Sequence, residues 1–484
     1  MDIDIDAIRA TLRDHDQLHL LRFVDELSEP QRDALLSQIA LIDFEELSEL
    51  IESHVLNEPD ATIPEDLTPP EIVPCNPSDD ATAETLNRAR RRGQQLLEEG
   101  KVAAFVVAGG QGTRLGYEGP KGCFPATPVT KKSLFQVFAE QIRAASQRAR
   151  KPIPWYIMTS PVNDVATRAF FRQNDYFGLN AQDVMFLVQG TMPAIDMSGK
   201  ILLRDKDSLA LSPDGHGGSL LALRKSGALD DMAERGITQI SYFQVDNPLV
   251  HCIDPTFIGL HDLAGAGMSA KALPKRDPME KLGNFCVSGG RVHVIEYSDM
   301  PEQLARRTTD DGRLKFSAGS IAIHMLNREF VETLTATGRC DLPFHRAEKK
   351  VPHVDQQGRK IEPSEPNAVK LEMFVFDAMP LSDETVIFET LRDEEFSPIK
   401  NAEGPDSPAT SLHDQVRRSA AWLEEAGVTV PRDAEGQVAA AIEISPLYAD
   451  SSDELARKVD KALEIVPGEN VYLGSRGQTG GMKK

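Results

Sequence analysis

The residues best equipped for chemistry lie together, in Ala108-Gly109-Gly110-Gln111-Gly112-Thr113-Arg114-Leu115-Gly116-Tyr117-Glu118-Gly119-Pro120-Lys121-Gly122. Four glycines between Gly109 and Gly116 let backbone N–H groups approach anionic oxygens with no Cβ in the way. Arg114 and Lys121, seven positions apart, add two fixed cations. A glycine-lined cradle with two cations suits a nucleoside triphosphate. Two familiar phosphate loops fail on spacing. The dinucleotide fingerprint needs a glycine three positions after Gly112, where Leu115 stands. The Walker A loop needs Gly-Lys-Ser/Thr, and Lys121 lies between Pro120 and Gly122. A tight strand-to-helix turn would account for the glycines without accounting for the cations. Asp246 follows an apolar run and precedes Asn247. A carboxylate there suits Mg²⁺ (or Mn²⁺), which takes hard oxygen ligands; it equally suits the cap of a following turn.

These groups need elements to hold them. Ala103 to Ala108 is a short apolar run of the buried parallel-strand kind, and the glycine loop separates it from an amphipathic helix carrying Leu134, Val137, Phe138 and Ile142. The pattern predicts strands at Trp155–Met158, Val184–Val188 and Ile237–Val245, and a helix at Val165–Gln173. Such alternation implies an α/β sheet with parallel strands and ligand groups at their C-terminal ends. Upstream, residues 1–56 read as helices. Six prolines between Pro59 and Pro77 read as an extended connector, and a basic helix is expected from about Ala81 to Glu99. Beyond Arg392 the chain reads as loops, then helical and strand patches of a small C-terminal domain.

The 484 residues carry 53 Lys plus Arg against 75 Asp plus Glu, a formal charge of −22. Residues 1–70 hold 18 acidic side chains and four arginines, so an anionic substrate bound elsewhere meets only a weak field. The balance argues against a nucleic-acid partner, and no apolar run reaches the ~20 residues of a membrane span. Five cysteines without a CxxC pair argue against a disulfide framework and a structural zinc. With an acidic Met1–Asp6, they make the cytoplasm the expected home. They read as small buried residues. Cys123, beside the loop, reads as an incidental modification site at most.

The string Gly109 to Gly116 with Pro120-Lys121-Gly122 resembles the nucleotide-binding signature of the UDP-sugar pyrophosphorylases, above all the eukaryotic-type UDP-N-acetylglucosamine (UDP-N-acetylhexosamine) pyrophosphorylases. Similar stretches follow in the same order: Pro154 to Ser160, Gln189-Gly190, Pro213-Asp214-Gly215, Val245-Asp246-Asn247, Glu296-Tyr297-Ser298, Phe374 to Asp377, Pro398 to Ala402 and Glu443 to Leu447. The resemblance spans nearly the whole chain. It implies a Rossmann-like, GT-A-like mixed-sheet nucleotidyltransferase core over 81–391, a helical N-terminal region with linker over 1–80 and a small C-terminal domain over 392–484. It implies transfer of UMP from UTP to a sugar 1-phosphate with release of pyrophosphate.

The implied roles are specific. Arg114 meets the β,γ-phosphates, Lys121 the α-phosphate and Lys400 the sugar phosphate. Ala108, Gly109 and Gly110 hold the uridine side, and Gln189 reads the uracil edge with amide donor and acceptor together. Gly215 and Asp246 complete the nucleotide set, Asp246 as metal ligand. His216, Gly283, Glu296, Ser317, Gly319 and Phe374 line the sugar pocket. Two departures bear on the sugar: His216 replaces an Asn of the pattern, and Ser317-Ala318-Gly319-Ser320 replaces Asn-Ala-Gly-Asn. N-acetylglucosamine 1-phosphate is the first candidate, with glucose 1-phosphate or a broad sugar range as the alternative. His216 either contacts sugar or phosphate, or is a loop histidine satisfied by nearby backbone. A nicotinamide-dependent dehydrogenase is disfavoured by the loop spacing. A non-catalytic UDP-sugar-binding regulator is disfavoured by the presence of both Arg114 and Lys121. The oligomeric state is not legible.

Overall fold

Ala103, Ala104, Phe105 and Val106 have no exposed surface. An element covered on both faces can be apolar at every position, so this run forms a central strand and not an alternating one. In the computed structural model, which describes residues 4–57 and 63–474, it is β1 (Val102–Val107) of a nine-stranded mixed sheet. The other strands are β2 (Trp155–Thr159), β3 (Val184–Val188), β4 (Gln239–Gln244), β5 (Met268–Pro274), β6 (Gly283–Ser288), β7 (Arg291–Ile295), β8 (Ala318–Asn327) and β9 (Ile387–Glu389). The order is β7-β6-β8-β4-β1-β2-β3, with β5 on β8 and β9 on β5. Strands β4, β1, β2 and β3 are mutually parallel, whereas β8 runs antiparallel to β4. β1 therefore has its chain successor β2 on one side and the later β4 on the other. That is a topological switch point, where the crevice beyond the strand ends opens to a ligand.

The chain divides into two compact units. The larger comprises 65–188, 222–339 and 378–484 and holds this sheet. On it, helix Leu134–Ala149 buries Leu134, Phe135, Phe138 and Ile142 completely. Helices Asp80–Glu98 and Pro255–Ala264 cross at glycines: a Cβ on Gly93 would stand 1.8 Å from the Pro255 carbonyl oxygen, and one on Gly259 1.8 Å from that of Ala89. The described part of the proline-rich stretch lies along the sheet, bridging Thr68 to Val287 and Val73 to Phe388; residues 58–62 lie outside the described residues.

The C-terminal stretch has its own core of Trp422, Leu423, Ile442, Leu455 and Leu473. Its helix Pro408–Glu425 falls where the sequence suggested loops and patches. The capping box of Ser407 and Thr410, with Pro408 in the first turn, starts it. A buried polar network ties this stretch to the rest of the larger unit. Lys132 Nζ donates to Glu140 (2.7 Å) and to the Tyr472 hydroxyl (2.8 Å), and Glu443 accepts from the backbone N–H groups of Val129 and Thr130.

The smaller unit comprises 1–64, 189–221 and 340–377. This grouping cuts across the consecutive stretches 1–80, 81–391 and 392–484, because the N-terminal helices bury their apolar faces on distant chain. Leu12, Leu20, Leu35, Ile39 and Leu47 pack with Ile195, Ile201, Val369 and Leu371. The buried Gln17 amide seals the contact, donating to Gly199 O (2.8 Å) and accepting from Ile201 N (3.0 Å). Its sheet is antiparallel, Phe344–Lys349 on Ala368–Met373 on Ile195–Asp196. No described helix is long and apolar enough to cross a membrane.

The glycine crossing yields a prediction. Gly259→Ala forces two backbones apart in a packed core and lowers stability by about 2–3 kcal/mol, read as a reduced midpoint in urea unfolding. Gly436→Ala, with open space at its Cβ position, carries only the smaller strain of its left-handed φ of +80°.

Candidate functional site

The parallel ladder runs one residue beyond β1 and β4. Ala108 N–H donates to Met158 O (2.7 Å), and Val245 N–H to Val107 O (3.2 Å). Gly109 and Asp246 thus leave the sheet side by side at the switch point. The loop after Ala108 closes on itself through a bridge between Gln111 and Pro120, with Gly112 N to Gly119 O at 2.9 Å and Lys121 N to Gly110 O at 3.1 Å. Gly112 permits the closure, since a Cβ there would lie 2.7 Å from the Tyr117 ring. Gly116 takes a left-handed φ of +67°.

Asn163 sets which way the loop faces, and sequence reasoning missed it. It is fully buried; its Nδ2 donates to the carbonyls of Ala108 (2.9 Å) and Gly110 (3.2 Å), and its Oδ1 accepts from Ser160 N (2.8 Å). Two carbonyl oxygens, which would repel a phosphate, are thereby turned toward protein. The N–H groups of Gly109 and Gly110 reach no acceptor among the described residues, and nothing stands within 4 Å of a Cβ position on Gly110. The only sequence signal was Asn163's place just past a strand end.

Lys121 Nζ lies 4.0 Å from Asp246 Oδ2, both side chains mostly buried at 16% and 14% exposure. Lys400 comes from 154 positions further along the chain than Asp246, yet its neighbour Ile399 donates its N–H to Asp246 O at 2.8 Å. Lys121, Asp246 and Lys400 therefore belong to one neighbourhood. Arg114 is exposed on the loop and reaches no partner among the described residues. No three His, Cys, Asp or Glu converge as a metal cage among the described residues. A single carboxylate at a phosphate site still fits Mg²⁺, which binds through one or two carboxylates and takes its remaining ligands from phosphate and water.

The expected sugar residues of the larger unit also gather. Gly283 pairs with Ser320, and Gly319 with Asn284. A Cβ on Gly283 would stand 2.6 Å from Val294 Cγ1 and 3.5 Å from Glu296 Oε1. Ser317 O accepts from Lys275 N (2.8 Å). Lys275, which the sequence did not mark, donates from Nζ to Asn284 Oδ1 (2.7 Å), and burial pulls its pKa below the ordinary lysine value.

Gln189, Gly215, His216 and Phe374 belong to the smaller unit. Gln189 is buried, and its Nε2 donates to Asp214 Oδ1 (3.0 Å) and Gly215 O (2.7 Å). Both amide protons are spent, so the expected donor-plus-acceptor reading of a base edge is corrected to an acceptor alone, Oε1. Gly215 has φ +85°, and a Cβ there would meet Met373 O at 2.2 Å. His216 stacks on Phe374 with ring centroids 5.2 Å apart, and its Nδ1 accepts from Val375 N (3.1 Å). That bond places the ring proton on Nε2. Burial, with His345 nearby, pushes the His216 pKa down to about 4, so the ring is neutral at pH 7. Backbone satisfaction, one of its two expected readings, accounts for Nδ1 only. Cys123 is buried, and burial pushes its thiol up to about 12. The expectation of a modification site is corrected accordingly.

Two predictions arise here. Asn163→Ala releases two carbonyls and strands Ser160 N–H, costing about 1–3 kcal/mol and raising the Kd for UTP at least ~10-fold by calorimetry. For His216 the folded pKa lies below the ordinary 6.5. As pH falls below that value, unfolded chains take up a proton that the folded site refuses. Stability therefore declines from pH 6.5 toward 4, and His216→Asn makes the Tm-against-pH curve flatter in that window.

The chain matches the family model described as UTP–glucose-1-phosphate uridylyltransferase over residues 52–461. It is 37% identical over 477 residues to human UDP-N-acetylhexosamine pyrophosphorylase-like protein 1, covering 93% of each chain. It is 39% identical over 354 residues to UDP-N-acetylglucosamine pyrophosphorylase of Saccharomyces cerevisiae, covering 71% of this chain and 74% of the yeast protein. Its fold is similar to the crystal structure of uridine diphosphate N-acetylglucosamine pyrophosphorylase from Trypanosoma brucei, with a TM-score of 0.79, 27% identity, and coverage of 93% of this chain and 94% of the other. With the glycine loop, the two lysines and the mixed sheet accounted for, the chain belongs to the UTP–glucose-1-phosphate uridylyltransferase family.

Proposed function

We propose that this chain transfers UMP from UTP to N-acetylglucosamine 1-phosphate, yielding UDP-N-acetylglucosamine and pyrophosphate. The observation that carries the reading is the grouping of Lys121, Asp246 and Lys400 beside a loop in which the N–H groups of Gly109 and Gly110 reach no acceptor among the described residues. A phosphate oxygen of the sugar 1-phosphate attacks the α-phosphorus of UTP. The new P–O bond forms in line as the bond to the β-phosphate oxygen breaks, and that electron pair leaves with pyrophosphate. The attacking oxygen is already anionic, so no general base and no side-chain nucleophile is required.

The protein's task is to hold two polyanions together and stabilise the leaving charge. Lys121 neutralises the α-phosphate, Lys400 the sugar phosphate, and Arg114 the departing β,γ-phosphates. The Gly109 and Gly110 N–H groups, with Ala108 beside them, hold the nucleotide. Asp246 would hold Mg²⁺ or Mn²⁺, which when bound supplies further neutralisation of phosphate charge. In the smaller unit, Gln189 Oε1 accepts from the N3–H of uracil, with Gly215 forming the turn that frees it. His216 offers a neutral Nε2–H donor to a sugar hydroxyl, against the Phe374 ring. Glu296 accepts from a sugar diol, and Gly283, Ser317 and Gly319 shape that pocket. The relatives named above support the acetylated sugar over glucose. Five free cysteines are in keeping with a reducing cytoplasm.

Pyrophosphate release with UTP, Mg²⁺ and a panel of the 1-phosphates of N-acetylglucosamine, N-acetylgalactosamine, glucose and galactose tests the reading. The highest kcat/KM is expected for N-acetylglucosamine 1-phosphate, and silence with all four sugars would overturn the proposal. Arg114→Ala is expected to lower kcat by about 10²–10³ while UDP-sugar affinity falls far less. Equal losses would remove Arg114 from the leaving group.

A further inference from the structure

Lys400 sits on a segment, Phe396 to Lys400, that belongs to no helix or strand. A cation meant to meet a phosphate at a fixed place cannot rely on such a segment's own backbone. Backbone bonds hold it, Ile399 N–H to Asp246 O (2.8 Å) and Lys400 N–H to Asp406 O (2.6 Å), and so does Ser397 Oγ on Asp414 Oδ2 (2.7 Å); one further side chain ties it to the strand end at two points. Asn247, 5% exposed, accepts with Oδ1 from Ser397 N (3.1 Å) and Leu249 N (3.2 Å), and donates with Nδ2 to Glu395 O (2.7 Å). It is the residue after Asp246. One amide thus grips both sides of Phe396 and fixes the segment to the strand end that carries the carboxylate.

The chemistry requires an amide, because one partner is a carbonyl and the others are N–H groups; a carboxylate serves only the latter. Deeper in the same unit, the fully buried Lys271 Nζ is 2.7 Å from Asp254 Oδ2 and 2.7 Å from Glu395 Oε2, and Glu395 also accepts from Thr390 Oγ1 (2.7 Å) and His251 N (3.1 Å). Arg418 Nη1 links the same two segments, donating to Leu249 O (3.2 Å) and Glu394 O (2.9 Å).

We infer that Asn247 is a positioning residue for the transfer: it holds Lys400 in register with Asp246, so that the cation for the incoming phosphate and the nucleotide side of the site move as one body. The inference rests on the transferase reading and on the role given there to Lys400. Asn247 itself touches no substrate. The Lys271–Glu395 pair and Arg418 keep the segments attached without it, so its loss displaces Lys400 and leaves the fold standing.

A double-mutant cycle on the full-length enzyme is the test, with Asn247→Ala, Lys400→Ala and the double variant, read by pyrophosphate release under saturating UTP and Mg²⁺. Asn247→Ala is expected to lower kcat by about 100-fold, the scale of a 1 Å misplacement, with the UTP Kd changed less than ~3-fold. Since Asn247 acts through Lys400, the double variant is expected within ~3-fold of Lys400→Ala alone. Losses that multiply would overturn the inference, as would an Asn247→Ala enzyme with unchanged kcat. Asn247→Asp keeps size and acceptors while losing the donor to Glu395 O, and is expected to show the same non-additivity with a lowered Tm. Should Asn247→Ala fail to fold, the cycle runs on this variant, and multiplying losses there overturn the inference equally. An inactive wild type removes the transferase reading and this inference with it. An active wild type with a costless Lys400→Ala removes only the role of Lys400 and the inference built on it.

Discussion

Like charges repel, and the proposed reaction asks a protein to press one phosphate against another. Every feature of the site follows from that constraint. Donors must outnumber acceptors where the phosphates lie, and a polypeptide carries a carbonyl for every N–H. Asn163 meets the requirement by drawing the carbonyls of Ala108 and Gly110 to itself. Those two carbonyls are occupied by protein, while the N–H groups of Gly109 and Gly110 reach no acceptor among the described residues. Glycines alone would not achieve this, since they make either orientation equally easy.

The sheet supplies the second half of the solution. Because β1 lies between β2 and β4, the residues that follow β1 and β4 emerge together, and the loop and Asp246 share one crevice. Lys400 has no strand to carry it there. It is brought by a backbone hydrogen bond to Asp246 and by the Asn247 amide, above a buried ion pair. Buried charge of this kind contributes little net stability. Here it pins irregular chain to a regular element, which fixes geometry without adding a helix or strand.

Much of this was legible in the sequence, for identifiable reasons. The run at Val102–Val107 could be read because a strand buried on both faces leaves an uninterrupted apolar signature. The glycine loop could be read because Arg114 and Lys121 lie within it. Asn163 and Asn247 could not, because a buried amide acts through the direction of its bonds, and a sequence records no direction. The long helix Pro408–Glu425 was obscured by Ser and Thr at its start, which read as loop until seen as a cap. Nor could the grouping of residues 1–64 with 189–221 and 340–377 be seen, since Leu12 and Leu371 share one core across more than 300 positions.

The same distinction separates the two halves of the chemistry. In the proposed reading, phosphate recognition would rest on formal charge and on glycines, which are sparse and patterned, so that Lys121 and Arg114 stand out in the sequence. In that reading, sugar recognition would rest, beside the Glu296 carboxylate, on neutral groups whose meaning depends on what already occupies them. His216 shows the difference. As a bare letter it is a possible cation, acceptor or donor. Once Val375 N–H is bonded to Nδ1 and burial holds the ring uncharged, only a single Nε2–H remains to offer. Gln189 is narrowed the same way, from an amide able to read a base edge twice to one carbonyl oxygen. In both cases the protein spends part of a versatile side chain on its own backbone, and the part left over points one way with one polarity. Selectivity among sugars that differ by a hydroxyl or an acetamido group needs that narrowing, because a side chain free to choose its partner would accept them all.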